Sequence, residues 1–491
     1  MGAPFIISLD EGTTNAKAIT VTQDGDILSK GSVPVQLEHP VAGWAEQDPI
    51  AIWEATQKAI MLCLEGLDVS DLKGVAISNQ RESVLIWDRQ TGKPLSPVVS
   101  WQCRRSEALC QTIALSPEAD EIKQRTGAVL DPLYPASKIK WLLNHLENGM
   151  ARAKNGELCV GTIDVWLVWQ LTAGESFVTD FSNASRYQLF NIHTAQWDSR
   201  LLEIFAIPKQ CLPEILPSSG HRGVTKCCRS LPNGIPVLSQ IGDSHAALYG
   251  QDGFVDGVVK ATYGTGSSLM TKSSVVPEND FGVGTTVAWH DGELSLALEG
   301  NITHTGSALS FVTRLLGISG VDVLSEMAQS VNHNQGVYFV PALAGLGAPY
   351  WDSQARGIIT GLTDATTPAV VARAAFESVT YQIADLFFAM EKTLGKPLET
   401  LSVDGGPTKN RWLMQLQADV LQRPIVCGDV AEVSAVGAAY LAGRALGWWK
   451  TYADLLALPH KTDMIRPNPK SDRIEQNYQA WKSAVQKAKF N

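Results

Sequence analysis

An apolar run that ends in a carboxylate, turns on a glycine and returns as a second strand restricts this chain's fold more than any other feature. Phe5-Ile-Ile-Ser-Leu-Asp10 reads as a buried strand, and Gly12 turns the backbone past Thr13 and Thr14. Ala18-Ile-Thr-Val-Thr22 then alternates as the next strand, and Asp24-Gly25 marks a hairpin into Ile27-Leu28. The same parts return past the midpoint, where Val258-Val-Lys-Ala-Thr-Tyr263 leads through Gly264-Thr265-Gly266 into Ser268-Leu-Met-Thr-Lys272. A third unit, Leu401-Ser-Val-Asp404-Gly405-Gly406, runs through Asn410 into a helical pattern from Arg411. The first two glycine turns join strand to strand, whereas the glycine run of a dinucleotide-binding or P-loop fold opens a helix. They predict an α/β chain of two similar domains, residues 1–250 and 251–491, each offering a turn to a shared cleft. Backbone N–H groups and hydroxyls at such turns cradle phosphate, and Asp10 is placed to hold its Mg²⁺. Alone, residues 5–14 also fit an ordinary hairpin ending in an exposed acid.

Composition narrows the partners. The chain has 491 residues, a length for two to four domains, and 45% hydrophobic residues, enough for large cores. A net charge of −10 without a basic block argues against nucleic acid and anionic membranes, but not against a small anionic ligand. The eight cysteines form no C-x-x-C pair, which argues against zinc and fits thiols in a reducing compartment. With no signal pattern at the start and no run of about 18 apolar residues, the expectation is a cytoplasmic protein.

Between the glycine turns the chain places further chemistry. Asp48-Pro49 starts a helix whose apolar face carries Trp53, Ile60 and Leu64 and which Gly66 ends. Gly74–Ser78 and Ser83–Trp87 read as strands on either side of Arg81-Glu82, a donor and an acceptor able to grip a polyhydroxylated ligand from both sides. A surface ion pair is the plainer reading. Pro97–Trp101 reads as a strand ending in an indole that covers either a polyol carbon chain or core. Ser137–His145 reads as a helix with Ile139, Leu142 and Leu143 inward. After the apolar run from Ile235 stands Asp243, a candidate general base, with His245 beside it read as structural. Ala431–Gly443 reads as a close-packing helix of small residues.

Several short runs in this order carry a resemblance: Asn79-Gln-Arg-Glu82, Trp101-Gln-Cys-Arg-Arg105, Asn183-Ala-Ser-Arg186, Leu346-Gly-Ala-Pro-Tyr-Trp-Asp352 and Val403-Asp-Gly-Gly406. With the three glycine units, they make the whole chain resemble the FGGY carbohydrate kinases of the actin/sugar-kinase ATPase superfamily, and among them the glycerol kinases. The resemblance implies two actin-like ATPase domains of ribonuclease H-like α/β fold flanking a nucleotide and substrate cleft. It implies ATP and Mg²⁺, no nucleic-acid or membrane partner, and a homo-dimer or homo-tetramer as the family often forms. Asp10 takes the Mg²⁺ position. Gly12, Thr13, Thr14, Asn15 and Lys17 follow the first phosphate turn, and Gly264, Thr265, Gly266, Gly306, Ser310, Gly405, Gly406 and Asn410 fall at nucleotide positions of the second domain. Arg81, Glu82, Trp101 and Asp243 match the polyol-binding set, with Asp243 as catalytic base.

Departures from the glycerol kinase pattern mark the acceptor side. Leu133 replaces a tyrosine (with Tyr134 adjacent), Ser244 a glutamine and Ser268 a phenylalanine, so the pocket is expected to be wider and to offer two extra hydroxyls. This favours a longer polyol, a tetritol, or a ketose over glycerol. Lys17 replaces an arginine and cannot make a bidentate clamp, and Ser310 replaces a glutamine. Lys226–Gly234 lacks the glycine-rich, arginine-bearing loop with which some glycerol kinases bind fructose 1,6-bisphosphate. Two alternatives remain: glycerol kinase proper, and a non-catalytic actin-like ATP-binding protein, which has no need of Arg81, Glu82, Trp101 and Asp243 together.

Overall fold

The structure is a computed structural model that describes residues 2–428, 432–459 and 462–489. Its first sheet follows from the opening hairpins. β1 (Phe5–Glu11) pairs antiparallel with β2 (Asn15–Thr22), and β2 with β3 (Ile27–Pro34). Asp48 caps α1 (Pro49–Leu64) by accepting from the Ile50 N–H, and Gly66 follows with φ 80°. The chain then returns as β4 (Leu72–Asn79), parallel to β1, and much later as β5 (Val237–Gly242), parallel to β4. The strand order is β5-β4-β1-β2-β3. A smaller sheet of Glu46–Gln47, Val98–Val99, Val84–Asp88 and Leu158–Thr162 stands beside it, with α2 (Pro135–His145) packed against its core. The strand expected over 97–101 is therefore only two residues long. Trp101 leaves the ladder because its N–H bonds the Ser83 hydroxyl at 3.1 Å.

α3 (Asp243–Gly250) follows β5 directly, and the second sheet then repeats the first. β6 (Val258–Tyr263), β7 (Ser267–Ser273), β8 (Gly284–Asp291) and β9 (Glu293–Ile302) are antiparallel. β10 (Thr400–Asp404) and β11 (Ile425–Gly428) add in parallel beside β6, and β12 (Thr462–Ile465) closes the edge. The order β8-β9-β7-β6-β10-β11-β12 thus contains the same hairpin-plus-parallel core as the first sheet. α4 (Gly306–Leu315), α5 (Pro368–Leu394) and α6 (Arg411–Leu421) bury their apolar faces in one core with this sheet.

α7 (Val433–Leu446) comes from the far end of the chain yet packs on the first sheet. Its carbonyls accept from the Ser8 and Ser239 hydroxyls, at 2.6 Å to Ala435 and 2.7 Å to Ala438. Gly437 crosses α3 so closely that a Cβ would collide with the Ala246 carbonyl, so only glycine fits there. α3 and α7 share one apolar core with side chains of both sheets, Ile6 and Ala76 from the first and Met270 and Trp289 from the second. The helix expected from Ala431 starts at Val433; Ala431 lies outside the described residues. No helix among the described residues is long and apolar enough to cross a membrane.

Candidate active site

Strand register assembles the first phosphate turn. Asp10 stands opposite Lys17 on β2 and Ser78 on β4, and the Ser78 hydroxyl donates to Asp10 Oδ1 at 2.9 Å. Burial pushes the Asp10 carboxyl up to about 6 against the opposing pull of Lys17, and the negative charge of Asp243 adds to the rise. Such a carboxylate fits a divalent cation, which would hold it ionised and take its second oxygen. The Gly12 N–H closes the turn on the Asn15 carbonyl at 3.0 Å. Thr13 donates to Gln80, and the Asn15 amide donates to the Thr14 hydroxyl at 3.1 Å. Lys17 is in place, but its ammonium is paired with Glu432 at 2.8 Å, across to the other half of the chain.

Across the cleft lies a cavity of about 980 Å³ lined by Gly264, Thr265, Gly306, Ser310, Gly406 and Asn410, six of the eight nucleotide positions expected in this half. The Gly306 N–H bonds the Gly264 carbonyl at 3.0 Å and the Ser307 N–H bonds the Thr265 carbonyl at 3.0 Å, so α4 begins at the turn. Gly405 has φ 102°, and a Cβ there would strike the Tyr263 carbonyl. Two predicted side chains are engaged elsewhere. Asn410 caps α6 through the Leu413 N–H at 3.1 Å and donates to Ser325 at 2.8 Å, while the Ser310 hydroxyl donates to the Gly306 carbonyl at 3.1 Å.

Four of the predicted acceptor residues, Arg81, Glu82, Asp243 and Ser244, meet in one charge network, in which Asp243 is partly exposed. Arg81 Nε donates to Asp243 Oδ1 at 3.1 Å, Nη1 to Glu299 at 2.7 Å and Nη2 to the Ser244 hydroxyl at 3.3 Å. Arg186 donates to Glu82 at 2.6 Å and to the other oxygen of Glu299, and its guanidinium lies 4.9 Å from the centre of the Tyr134 ring. Glu82 reaches this position with φ 61°, unusual for a residue with a side chain. Burial alone would raise the Glu299 carboxyl, but Arg186 and Arg81 outweigh it and hold it down at about 2. Burial also lowers His245 well below the usual imidazole range, consistent with a structural role beside the base. Ser244 is thus spent partly on Arg81, whereas the Ser268 hydroxyl is buried without a partner. Leu133 is half-buried at the head of α2, where its carbonyl and that of Glu82 accept from the buried Lys138. Trp101, 38% exposed, bonds Thr13 at 3.0 Å through its indole N–H, tying the acceptor side to the phosphate turn.

Sequence reading missed Glu299 and the role of Arg186. Arg186 sits in the quoted Asn183–Arg186 run without an assigned part, and Glu299 stands among Leu296-Ala-Leu298 and Gly300, where a buried strand was the natural reading. A lone charge in such a run was the available signal.

The fold, the cavity bearing six of the expected nucleotide residues and the charge network around Arg81 fit an ATP-dependent phosphotransferase with an alcohol group as acceptor. The chain belongs to the FGGY family of carbohydrate kinases, whose N-terminal domain matches residues 5–250 and C-terminal domain residues 259–446. It is 55% identical to apulose kinase from Pectobacterium atrosepticum over 493 aligned positions, covering 100% of this chain and 99% of that one. It is 41% identical to glycerol kinase 2 from Thermotoga maritima, covering 99% of this chain and 98% of that one. Among solved structures, Plasmodium falciparum glycerol kinase with ADP superposes with a TM-score of 0.93 at 30% identity, covering 100% of this chain and 99% of the other. The chain is therefore a kinase of a small polyol or sugar, and ATP is its phosphoryl donor.

Proposed function

We propose that this kinase phosphorylates a hydroxyl of a short ketose, the class named in its apulose kinase relative, with Asp243 as general base. The observation that carries the reading is the bridge from Asp243 through Arg81 to Glu299, which fixes a carboxylate beside the acceptor pocket. The hydroxyl oxygen attacks the γ-phosphorus, its proton passes to Asp243, and the bond to the departing ADP breaks. Arg81 and Glu82 orient the acceptor, Trp101 lies along it, and the turns at Gly12–Asn15 and Gly264–Gly266 hold the phosphates. Asp10 would hold Mg²⁺, which when bound opposes charge on the transferring phosphoryl group. The two sheets form two domains meeting at this cleft, and closure of one on the other would exclude water. Leu133, Ser244 and Ser268 support the longer substrate, since none supplies an aromatic wall. All eight cysteines are free thiols, in keeping with a cytoplasmic enzyme.

Coupled ADP-release assays on glycerol, erythritol, the threitols, xylulose, ribulose and apulose test the substrate by kcat/KM. A ketose should lead, and glycerol in first place would overturn the assignment. Asp243→Asn should lower kcat by ~10²–10⁴-fold, about 3–5 kcal/mol, while ATP binding persists. Full turnover by that variant would exclude Asp243 as the base.

A further inference from the structure

One face of the second sheet carries polar groups beyond those already described. Residues directly opposite on neighbouring strands share a face. The pairs Thr262↔Ser268, Ser268↔Asn301 and Met270↔Glu299 therefore put Ser268, Asn301 and Glu299 on the same side. From that side Glu299 reaches Arg81 and Arg186. Asn301 lies two residues further along β9, a step of about 6.8 Å at ~3.4 Å per residue. That step leads toward Gly306, and Ser268 is equally two residues from Gly266. The Ser268–Asn301 pair thus stands between the acceptor network and the nucleotide turn.

One observation belongs to Ser268, and a second, a cavity that Ser268 does not line, belongs to its cross-strand neighbour Asn301. The Ser268 hydroxyl is buried and makes no hydrogen bond, which native interiors rarely leave so. Beside Asn301 lies a cavity of about 50 Å³, lined also by Tyr134, Arg186 and Glu299. It is walled by Trp351, whose indole N–H bonds the Gly282 carbonyl at 2.7 Å, and by the Lys123–Asp280 ion pair at 2.7 Å. A water needs ~10–15 Å³, so one oxygen-bearing carbon has room there. The backbone of Asn301 is pinned, because its carbonyl accepts from the Ala348 N–H at 3.0 Å.

Resting on the reading that Asp243 deprotonates a bound ketose, we propose that Ser268 and Asn301 form a specificity subsite that hydrogen-bonds a substrate oxygen glycerol lacks. That oxygen is the ketone carbonyl or an additional hydroxyl, and both residue types can donate and accept toward either. The pair selects the substrate and takes no part in proton or phosphoryl transfer.

The test measures kcat/KM for Ser268→Ala, Asn301→Ala and the double variant on glycerol, erythritol and erythrulose. Each single change should cost ~3–10-fold more on the longer substrate than on glycerol, mostly through KM. Loss on erythrulose alone identifies the carbonyl as the bound oxygen, and loss on both four-carbon substrates identifies a hydroxyl. Ser268→Thr, which keeps the hydroxyl, should retain more of the preference, and melting temperatures confirm that the variants fold. Equal loss on glycerol and on the longer substrates would overturn the proposal, placing the pair in phosphoryl transfer or in the fold. A wild type that prefers glycerol sinks both this and the function proposed above. A wild type that prefers the longer substrate, with a double variant that keeps the preference, sinks this inference alone.

Discussion

The two sides of the cleft are made of different material. Of the six predicted residues that line the cavity on the side proposed for the nucleotide, three are glycines, which lend only backbone. Side chains there serve the scaffold, Asn410 as the cap of α6 and Ser310 as a bond back to Gly306. On the side proposed for the acceptor the groups are charged side chains, with Arg81 8%, Glu82 5%, Arg186 5% and Glu299 3% exposed. A backbone site holds a part common to every nucleotide triphosphate and depends on conformation. A side-chain site can change its ligand by substitution, but its charges are tolerable only while every partner remains.

The sharpest break is Glu299→Gln. It removes the one carboxylate that answers two buried guanidiniums, and breaking such a group typically costs about 3–5 kcal/mol. Urea unfolding should show that loss, with phosphorylation failing in parallel; a loss below about 1 kcal/mol would mean the network does not govern the acceptor side. The same carboxylate gives the contrast a pH signature. With a folded value of about 2 against an ordinary glutamate value of 4.5, Glu299 contributes stability that is present above pH 4.5 and lost as the pH falls toward 2. The contribution is on the order of 3 kcal/mol, and the glutamine variant should lose that part of the acid dependence.

Gly405→Ala tests the backbone side and should have the next largest effect. Its φ of 102° and the collision with the Tyr263 carbonyl force the corner to move, at about 1–3 kcal/mol. Isothermal titration should show ATP weakened about tenfold or more, while the acceptor KM stays within twofold. A matching rise in acceptor KM would erase the distinction between the sides. The smallest effect belongs to Ser310→Ala, within about 0.5 kcal/mol in stability and twofold in the KM for ATP, because its hydroxyl already serves its own helix. Asn410→Ala should fall between, losing about 1 kcal/mol of helix capping.

This division also explains what could be read from the sequence. Glycine turns are local, so residues 5–34 and 258–273 announced their strands. Six of the expected nucleotide residues line the second-half cavity for the same reason. The acceptor network is assembled from residues far apart in the chain, Arg81 with Glu299 218 positions later and Arg186 with Glu299 113 later. No local pattern links them. Glu299 becomes intelligible only when the pairing of β9 with β7 sets it on the cleft face. Lys17 shows the converse, since the hairpin sets it opposite Asp10 while its partner, Glu432, comes from the remote end of the chain. Trp101 could be read either as covering a ligand or as core, and its exposure and its bond to Thr13 depend on how the small sheet is set against the first.

The crossing of α7 onto the first sheet bears on how such a protein can be taken apart. Two family domains divide the sequence cleanly at residues 250 and 259, yet the folded parts are not interchangeable modules. A fragment ending near residue 250 would lack Glu299, leaving Arg81 and Arg186 without their shared counter-ion. It would also bare the faces of α3 and the first sheet that α7 covers. Recombination that brings in a foreign second half must therefore carry over both a carboxylate at position 299 and a glycine at position 437. The boundary between the two family domains in the sequence is thus crossed by the packing of the fold.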